Sequence, residues 1–255
     1  MWRKLRIVIL LFVLTTVAQQ AWFQKRDLEW SDNFYVTLYP INLDGSTRTS
    51  GYLGTLTQEQ FALIADYFSE EAQRYGLPVS RPFKLRLGPQ VFSRPPPLPQ
   101  ATSALQAMLW SLKFRWWAWR NSPETRVTPK IRLYLLYHDP GQTSVLPHST
   151  ALSKGRIGLV NVFGDKAYSD QNAVVIAHEL LHTMGASDKY DPATNFPVFP
   201  QGFAEPDKEP RYPQGLAELM GGRIPISETQ AEIPPDLSQT LIGPVTAQEI
   251  RWTTK

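Results

Sequence analysis

The stretch that decides the fold of this 255-residue chain is His178-Glu179-Leu180-Leu181-His182. Residues four positions apart on an α-helix lie one above the other on the same face, so both imidazoles can point at one ion. Glu179 stands beside the first histidine and can reach a water bound to that ion. This HExxH spacing supplies two zinc ligands and a general base for hydrolysis. The stretch therefore predicts a helix that carries a zinc site.

The residues before the motif favour a buried helix. Ser169 and Asp170 are residue types that cap helix N-termini, and the stretch 171–184 contains no proline. Its apolar residues are distributed nearly all round the helix; they are Val174, Val175, Ala177, Leu180, Leu181 and Met184. Ionisable groups in such a helix are costly unless they are paired, and a metal ion would pair them.

The residues after the motif offer a third ligand. Gly185 suits an abrupt helix end, because glycine adopts positive φ freely. The chain can then turn back toward the ion, and Asp188 is the first side chain able to supply a carboxylate oxygen. Three protein ligands leave the fourth position of zinc open for water. Glu218 is the alternative third ligand, although the glycines that follow it are a poor helix interior.

The complete pattern, HExxHxxGxxD, resembles that of the metzincin metalloproteases. It is most similar to the snapalysin-like enzymes, in which the third ligand is aspartate and a tyrosine follows two residues later, as Tyr190 does here. Segment 217–222, Ala-Glu-Leu-Met-Gly-Gly, looks like the metzincin Met-turn that puts a methionine, here Met220, beneath the metal. The resemblance implies an α+β, zincin-like fold: a mixed twisted sheet, an active-site helix and a loop-rich C-terminal subdomain.

The resemblance also implies the roles of individual residues. Zinc would be bound by His178, His182 and Asp188, Glu179 would act as general base, and Tyr190 would stabilise the transition state. In the alternative interpretation Tyr190 is an ordinary packed tyrosine. If Glu218 were the ligand instead, the site would be similar to that of the thermolysin-like (gluzincin) enzymes.

The expected function is that of a zinc-dependent endopeptidase, with a peptide or protein as substrate. Two alternatives stay open. One is a zinc hydrolase that acts on a non-peptide amide. The other is a non-catalytic exported domain with a structural zinc, for which Glu218 or His148 would be the fourth ligand.

The N-terminus predicts a membrane segment. Arg3, Lys4 and Arg6 precede an apolar run over 7–23, which is long enough to cross a bilayer. We expect 1–26 to be an uncleaved anchor rather than a cleaved signal, because a clean cleavage site is missing. The basic flank places the catalytic domain in the periplasm or outside the cell.

Charge and composition exclude two classes of function. Five of the 26 basic residues precede residue 27, so the remaining chain has 21 basic against 23 acidic residues. This slightly acidic balance gives no sign of nucleic-acid binding. The chain has no cysteine, which excludes disulfides, thiolate ligands and a cysteine nucleophile.

The soluble part, 27–255, is predicted as one zincin-like domain with an upper part, 27–188, and a loop-rich lower part, 189–255. Apolar patterns predict strands over 34–43, 83–87, 132–137 and 157–163, and helices over 57–75, 101–120 and 171–184, with a short final helix from 246. The strand 157–163 is expected at the edge of the sheet, beside the substrate cleft. His138 and His148 are expected to be surface or capping residues.

Overall fold

The structure, a computed structural model, describes residues 30–99, 103–125 and 127–253 together with Arg6. The strands are β1 (Phe34–Asn42), β2 (Phe83–Leu87), β3 (Ile131–His138), β4 (Thr150–Leu152), β5 (Ile157–Phe163), β6 (Ala217–Glu218), β7 (Ile224–Pro225), β8 (Ala231–Glu232) and β9 (Thr240–Leu241). The α-helices are α1 (Thr47–Leu53), α2 (Ala62–Arg74), α3 (Ala104–Asn121), α4 (Ser169–Met184) and α5 (Pro244–Glu249).

A five-stranded sheet forms the centre of the domain, in the order β2-β1-β3-β5-β4. The first four strands run parallel, and β4 runs antiparallel to β5. Strands β1, β3 and β5 are buried along nearly their whole length, as expected for parallel strands covered on both faces. The expected α+β class with a mixed sheet is confirmed.

The helices cover both faces of this sheet, and alternate residues of each strand point to opposite sides. On one side Val36 and Leu133 pack in a core cluster with residues of α2 and α4. On the other side Tyr39 and Tyr134 pack against the aromatic face of α3, formed by Trp110, Phe114 and Trp117. The motif helix α4 is therefore held firmly against the sheet, which fixes the direction of its polar face.

The predicted position of strand 157–163 is wrong. This strand, β5, lies between β3 and β4, and the edge belongs to the three-residue strand β4. Continuous burial from Ile157 to Val162 is typical of such an interior strand. The edge strand escaped prediction because three residues carry too little periodicity to be recognised.

The prediction for His138 is also wrong. Its side chain is 7% exposed at the end of β3, and its Nε2 lies 2.8 Å from Oδ1 of Asn161 on the neighbouring β5. The turn after β3 is built by Asp139 instead. That carboxylate accepts a hydrogen bond from the backbone N–H of Gly141.

The predicted membrane anchor is corrected. Segment 1–26 lies outside the described residues apart from Arg6, and in the described part of the chain no helix is long and apolar enough to cross a membrane. The prediction depended on an apolar run and the basic residues before it, which do not establish that a spanning helix forms. We therefore withdraw the transmembrane helix, the membrane contact and the periplasmic or extracellular location that followed from them.

Beyond α4 the described chain contains only short elements. The pairs β6–β9 and β7–β8 each join strands of two residues, and α5 closes the chain with six residues. Trp30 connects this region to the start of the domain, since its indole N–H donates to the carbonyl of Ile250 at 2.8 Å. The division into 27–188 and 189–255 stays a prediction.

We expect Phe68→Ala to lower the free energy of unfolding by about 3–5 kcal/mol, because it removes a fully buried ring from the core. Phe68 is 0% exposed, and its ring centroid lies 4.7 Å from that of Phe83. Urea denaturation measures the change. The matched control is Phe92→Ala, whose ring is 86% exposed, and a loss there as large as that at Phe68 would contradict the packing described.

Candidate metal centre

The two motif histidines lie in the last turns of α4, and the helix then ends abruptly. A short 3₁₀ turn capped by Asp165 leads into α4, so the predicted caps Ser169 and Asp170 lie within the helix. Gly185 ends it in the left-handed conformation, with φ of 105°. The N–H of Ala186 bonds to the carbonyl of Leu181 at 3.1 Å, which closes the helix end and turns the chain back.

Three acceptor atoms converge beside this helix end. The distances between His178 Nε2, His182 Nε2 and Asp188 Oδ1 are all 3.1 Å. Tetrahedral zinc with bonds of about 2.0–2.1 Å holds neighbouring ligand atoms about 3.3–3.4 Å apart, so the donor set fits this ion closely. Two imidazoles and one carboxylate are also ligands that zinc favours.

Backbone carbonyls fix the orientation of both rings. The Nδ1–H of His178 donates to the carbonyl of Leu219 at 2.9 Å, and the Nδ1–H of His182 donates to the carbonyl of Ala186 at 2.8 Å. Since a carbonyl only accepts, both Nε2 atoms are left with a lone pair that faces Asp188. Three lone pairs aimed at one point repel each other unless a proton or a metal cation lies between them.

The charge of Asp188 is favoured by these neighbours. Burial alone disfavours its ionised form, but the interaction with His178 and His182, whose Nε2 atoms lie 3.1 Å away, outweighs burial and holds the pKa of Asp188 well below its usual value. Asp188 is thus an anion under all ordinary conditions, as a metal ligand must be.

The loop that carries Asp188 is tied to the C-terminal helix. The ammonium of Lys189, 5% exposed, donates to the carbonyl of Ser187 at 2.8 Å and to Oε2 of Glu249 at 2.7 Å. Glu249 also accepts from the N–H and the hydroxyl of Ser187. Sequence reasoning missed both Lys189 and Glu249, because their partners are separated by 60 residues and no local pattern connects them.

Glu218 lies outside the group of converging atoms. Its side chain is 0% exposed, and Oε2 accepts from the N–H of Gly221 at 2.8 Å. Oε1 accepts from the N–H of Gly243 at 2.9 Å and from the hydroxyl of Thr246 at 2.6 Å. Both oxygens are therefore used to hold the turn around the buried Met220 against α5.

Glu179 faces the same group without a partner of its own. Its side chain is 6% exposed, and Oε2 has no hydrogen-bond partner in the described structure. A carboxylate oxygen of Glu179 lies within 4.8 Å of both imidazoles, whereas Asp188 is 3.1 Å from each. The shorter distances favour Asp188 as the ligand. Burial raises the pKa of Glu179, while the nearby His178, His182 and His148 lower it.

Tyr190 stands over the group at the side of a cleft. Its ring centroid is 6.3 Å from that of His178. Burial, with the charge of Asp188 next in size, raises the pKa of Tyr190 to about 12, so the phenol keeps its proton and can donate it in a hydrogen bond.

The cleft in front of these residues has a volume of about 520 Å³. One wall is the segment 144–149, which contains the exposed His148. Asn161 of β5 holds this wall, since its amide donates to the carbonyl of His148 at 3.0 Å and its N–H donates to the hydroxyl of Ser149 at 2.9 Å. The other walls come from α4, Tyr190, Leu219, Gly222 and Arg223.

Comparison with known proteins identifies no relative: no model of a protein family matches the chain, and no curated protein matches it. The arrangement of side chains is therefore the observation from which the function is inferred.

We expect Asp188→Ala and Glu218→Gln to have different effects. Asp188→Ala removes a ligand, so zinc affinity should fall by more than about 100-fold, the upper range for losing a residue that only supports a ligand. Glu218→Gln should lower the free energy of unfolding, because the amide cannot accept all three hydrogen bonds, and should weaken zinc binding far less. Chelator competition measures affinity and urea denaturation measures stability. If Glu218→Gln lost zinc as severely as Asp188→Ala, Glu218 would be the ligand.

Proposed function

We propose that this protein is a zinc-dependent endopeptidase with a zincin-like fold, similar to the snapalysin-like metzincins. The observation that carries the proposal is the convergence of His178 Nε2, His182 Nε2 and Asp188 Oδ1 at 3.1 Å from one another. Their lone pairs face one point, and the carboxylate of Glu179, whose buried Oε2 has no hydrogen-bond partner in the described structure, lies within 4.8 Å of both imidazoles. A cation with an open coordination position satisfies all four groups.

Zinc held by these ligands would supply a Lewis acid and would lower the pKa of a water molecule toward neutrality. Glu179 would take a proton from the attacking water and would then deliver it to the leaving amine as the peptide bond breaks. Its burial suits both steps, because burial raises the pKa of a carboxyl group toward neutral pH, where the group can both accept and release a proton.

Tyr190 supports the same reaction from the side of the cleft. Its hydroxyl keeps its proton and is close to Asp188, and we infer that it turns to donate to the carbonyl oxygen as negative charge develops there. The extended substrate would lie along the segment 144–149 and the antiparallel edge strand β4, where strand pairing can hold a peptide backbone.

One alternative has a specific observation in its favour. Because a Glu179 oxygen lies within 4.8 Å of both imidazoles, Glu179 could be a fourth ligand and the site a closed, structural one. The two functions predict different roles for Glu179, and the same substitution decides between them.

We expect Glu179→Gln to keep stoichiometric zinc and to lose peptide cleavage by about 10²- to 10⁴-fold, the usual contribution of a general acid–base group. Cleavage is measured with a quenched fluorescent peptide library, and zinc by elemental analysis. The matched control is Glu59→Gln, at an exposed position of the turn before α2. Undiminished cleavage would falsify the peptidase assignment, and loss of zinc would indicate a structural site.

Tyr190→Phe tests the second catalytic group. The substitution removes only the hydroxyl, so kcat should fall by about 10²-fold while KM changes little, as found when one donor to a developing oxyanion is lost. Steady-state kinetics on a single cleaved peptide separates the two parameters. Tyr35→Phe, with the parent ring 36% exposed on β1, is the control. An unchanged kcat would leave Tyr190 as a packing residue.

A further inference from the structure

We propose that Arg223 makes the cleft selective for substrates that carry a carboxylate close to the reacting bond. That these ligands are substrates rests on the proposed function, but the binding of a carboxylate at Arg223 is independent of catalysis. It follows from the position of Arg223, from its lack of a counterion and from the charges around it.

Arg223 lies where the cleft and a second cavity meet. It follows the glycine pair Gly221-Gly222 of the turn and precedes β7, and its side chain is half-buried. It lines the 520 Å³ cleft together with His178 and Glu179. It also lines the adjoining cavity of about 300 Å³, together with Tyr190 and Asn195. A group bound by Arg223 therefore lies in the same cleft as the proposed reacting centre.

The guanidinium of Arg223 has N–H donors that are available to bind a ligand. Its recorded hydrogen bond is a long one, 3.5 Å from Nη1 to the carbonyl of Ala231. Within residues 30–99, 103–125 and 127–253 no carboxylate lies within 4.0 Å of it. Arg74 is paired with Glu71 and Arg48 with Asp165. In the described part of the chain, Arg115 and Arg132 are half-buried without a carboxylate partner, as Arg223 is, but Arg223 alone among these residues lines the cleft, where a bound anion would supply its counterion.

The described lining of the cleft contains a single acid. Among the described residues that line it, the only carboxylate is Glu179, which is buried on α4 and faces the histidines. His148 lines both cavities with Arg223 and adds ring nitrogens that can donate a hydrogen bond. Arg223 is thus the one lysine or arginine in the described lining of the cleft, and its fork of guanidinium donors matches the two oxygens of a carboxylate.

A peptide offers such a carboxylate from two sources. One is the side chain of an internal aspartate or glutamate, and the other is the C-terminal carboxylate. Both present the same two oxygens to the guanidinium, so the chemistry at Arg223 is common to them. The two sources differ in where they stand along a peptide, and matched peptides can therefore separate them.

The test uses the full chain with Glu179→Gln and zinc added, so that bound peptides stay intact. Fluorescence anisotropy compares three labelled peptides of equal length: one with an internal glutamate and an amidated end, its glutamine analogue, and the analogue with a free C-terminal carboxylate. We expect at least one carboxylate peptide to bind about 10- to 100-fold more tightly than the neutral one, as for a hydrogen bond to a charged group. The peptide that does so identifies the source.

Arg223→Gln in the same background should abolish this preference, and Arg223→Lys should retain part of it, because lysine keeps the charge but loses the fork. The matched control is Arg86→Gln, exposed on β2 at the opposite edge of the sheet, which should keep the full preference. An equal affinity for all three peptides overturns the proposal, and so does a preference that survives Arg223→Gln.

The outcomes for binding and for catalysis are separable. If the unsubstituted protein cleaves peptides with no carboxylate preference, the inference about Arg223 fails and the endopeptidase assignment stands. If carboxylate peptides bind in a manner that depends on Arg223 while no peptide is cleaved by the unsubstituted protein, the anion site stands and the endopeptidase assignment fails.

Discussion

The buried carboxylate of Glu218 is the interaction on which the candidate site depends. This carboxylate is fully enclosed. Burial is the main influence on its pKa and raises that pKa, while hydrogen bonds from Thr246, Gly243 and Gly221 lower it. An isolated charge in such a place would be strongly unfavourable, so its donors are required rather than optional. Through them the turn at Met220 is attached to α5, and that turn supplies the Leu219 carbonyl that orients His178.

The same helix α5 holds the other side of the site. Glu249 pairs with the buried Lys189 and accepts both donors of Ser187, which leaves Asp188 in a short segment with little freedom to move. The three converging atoms thus come from a rigid helix and from a loop that is fixed at both ends. Such support by outer groups is what keeps metal ligands within the narrow range of productive geometry.

The sequence was sufficient to predict the structure where the signal lay within a short segment of the chain. The helical spacing of the histidines, the glycine that ends α4 and the positions of β1, β2, β3 and β5 were predicted from local patterns, and the structure brings Asp188 to the histidines. The failures involve contacts between distant residues. The edge strand β4 is too short to show a pattern, His138 is buried by its pairing with Asn161, and the Lys189–Glu249 pair joins elements that the sequence separates widely. A hydropathy signal at the N-terminus was likewise not enough to establish a membrane helix.

The attachment of the site to α5 has a consequence for the order in which the protein is made. The motif helix leaves the ribosome well before residues 243–249. Among these, Gly243 and Thr246 donate hydrogen bonds to Glu218, and the carboxylate of Glu249 accepts from the loop that carries Asp188. Until those residues have been translated, the histidines are present but neither the turn nor the loop has its anchor. The three donor atoms therefore acquire their final positions only after residues 243–249 have been translated, and a nascent chain that has made only the motif does not yet hold the complete site.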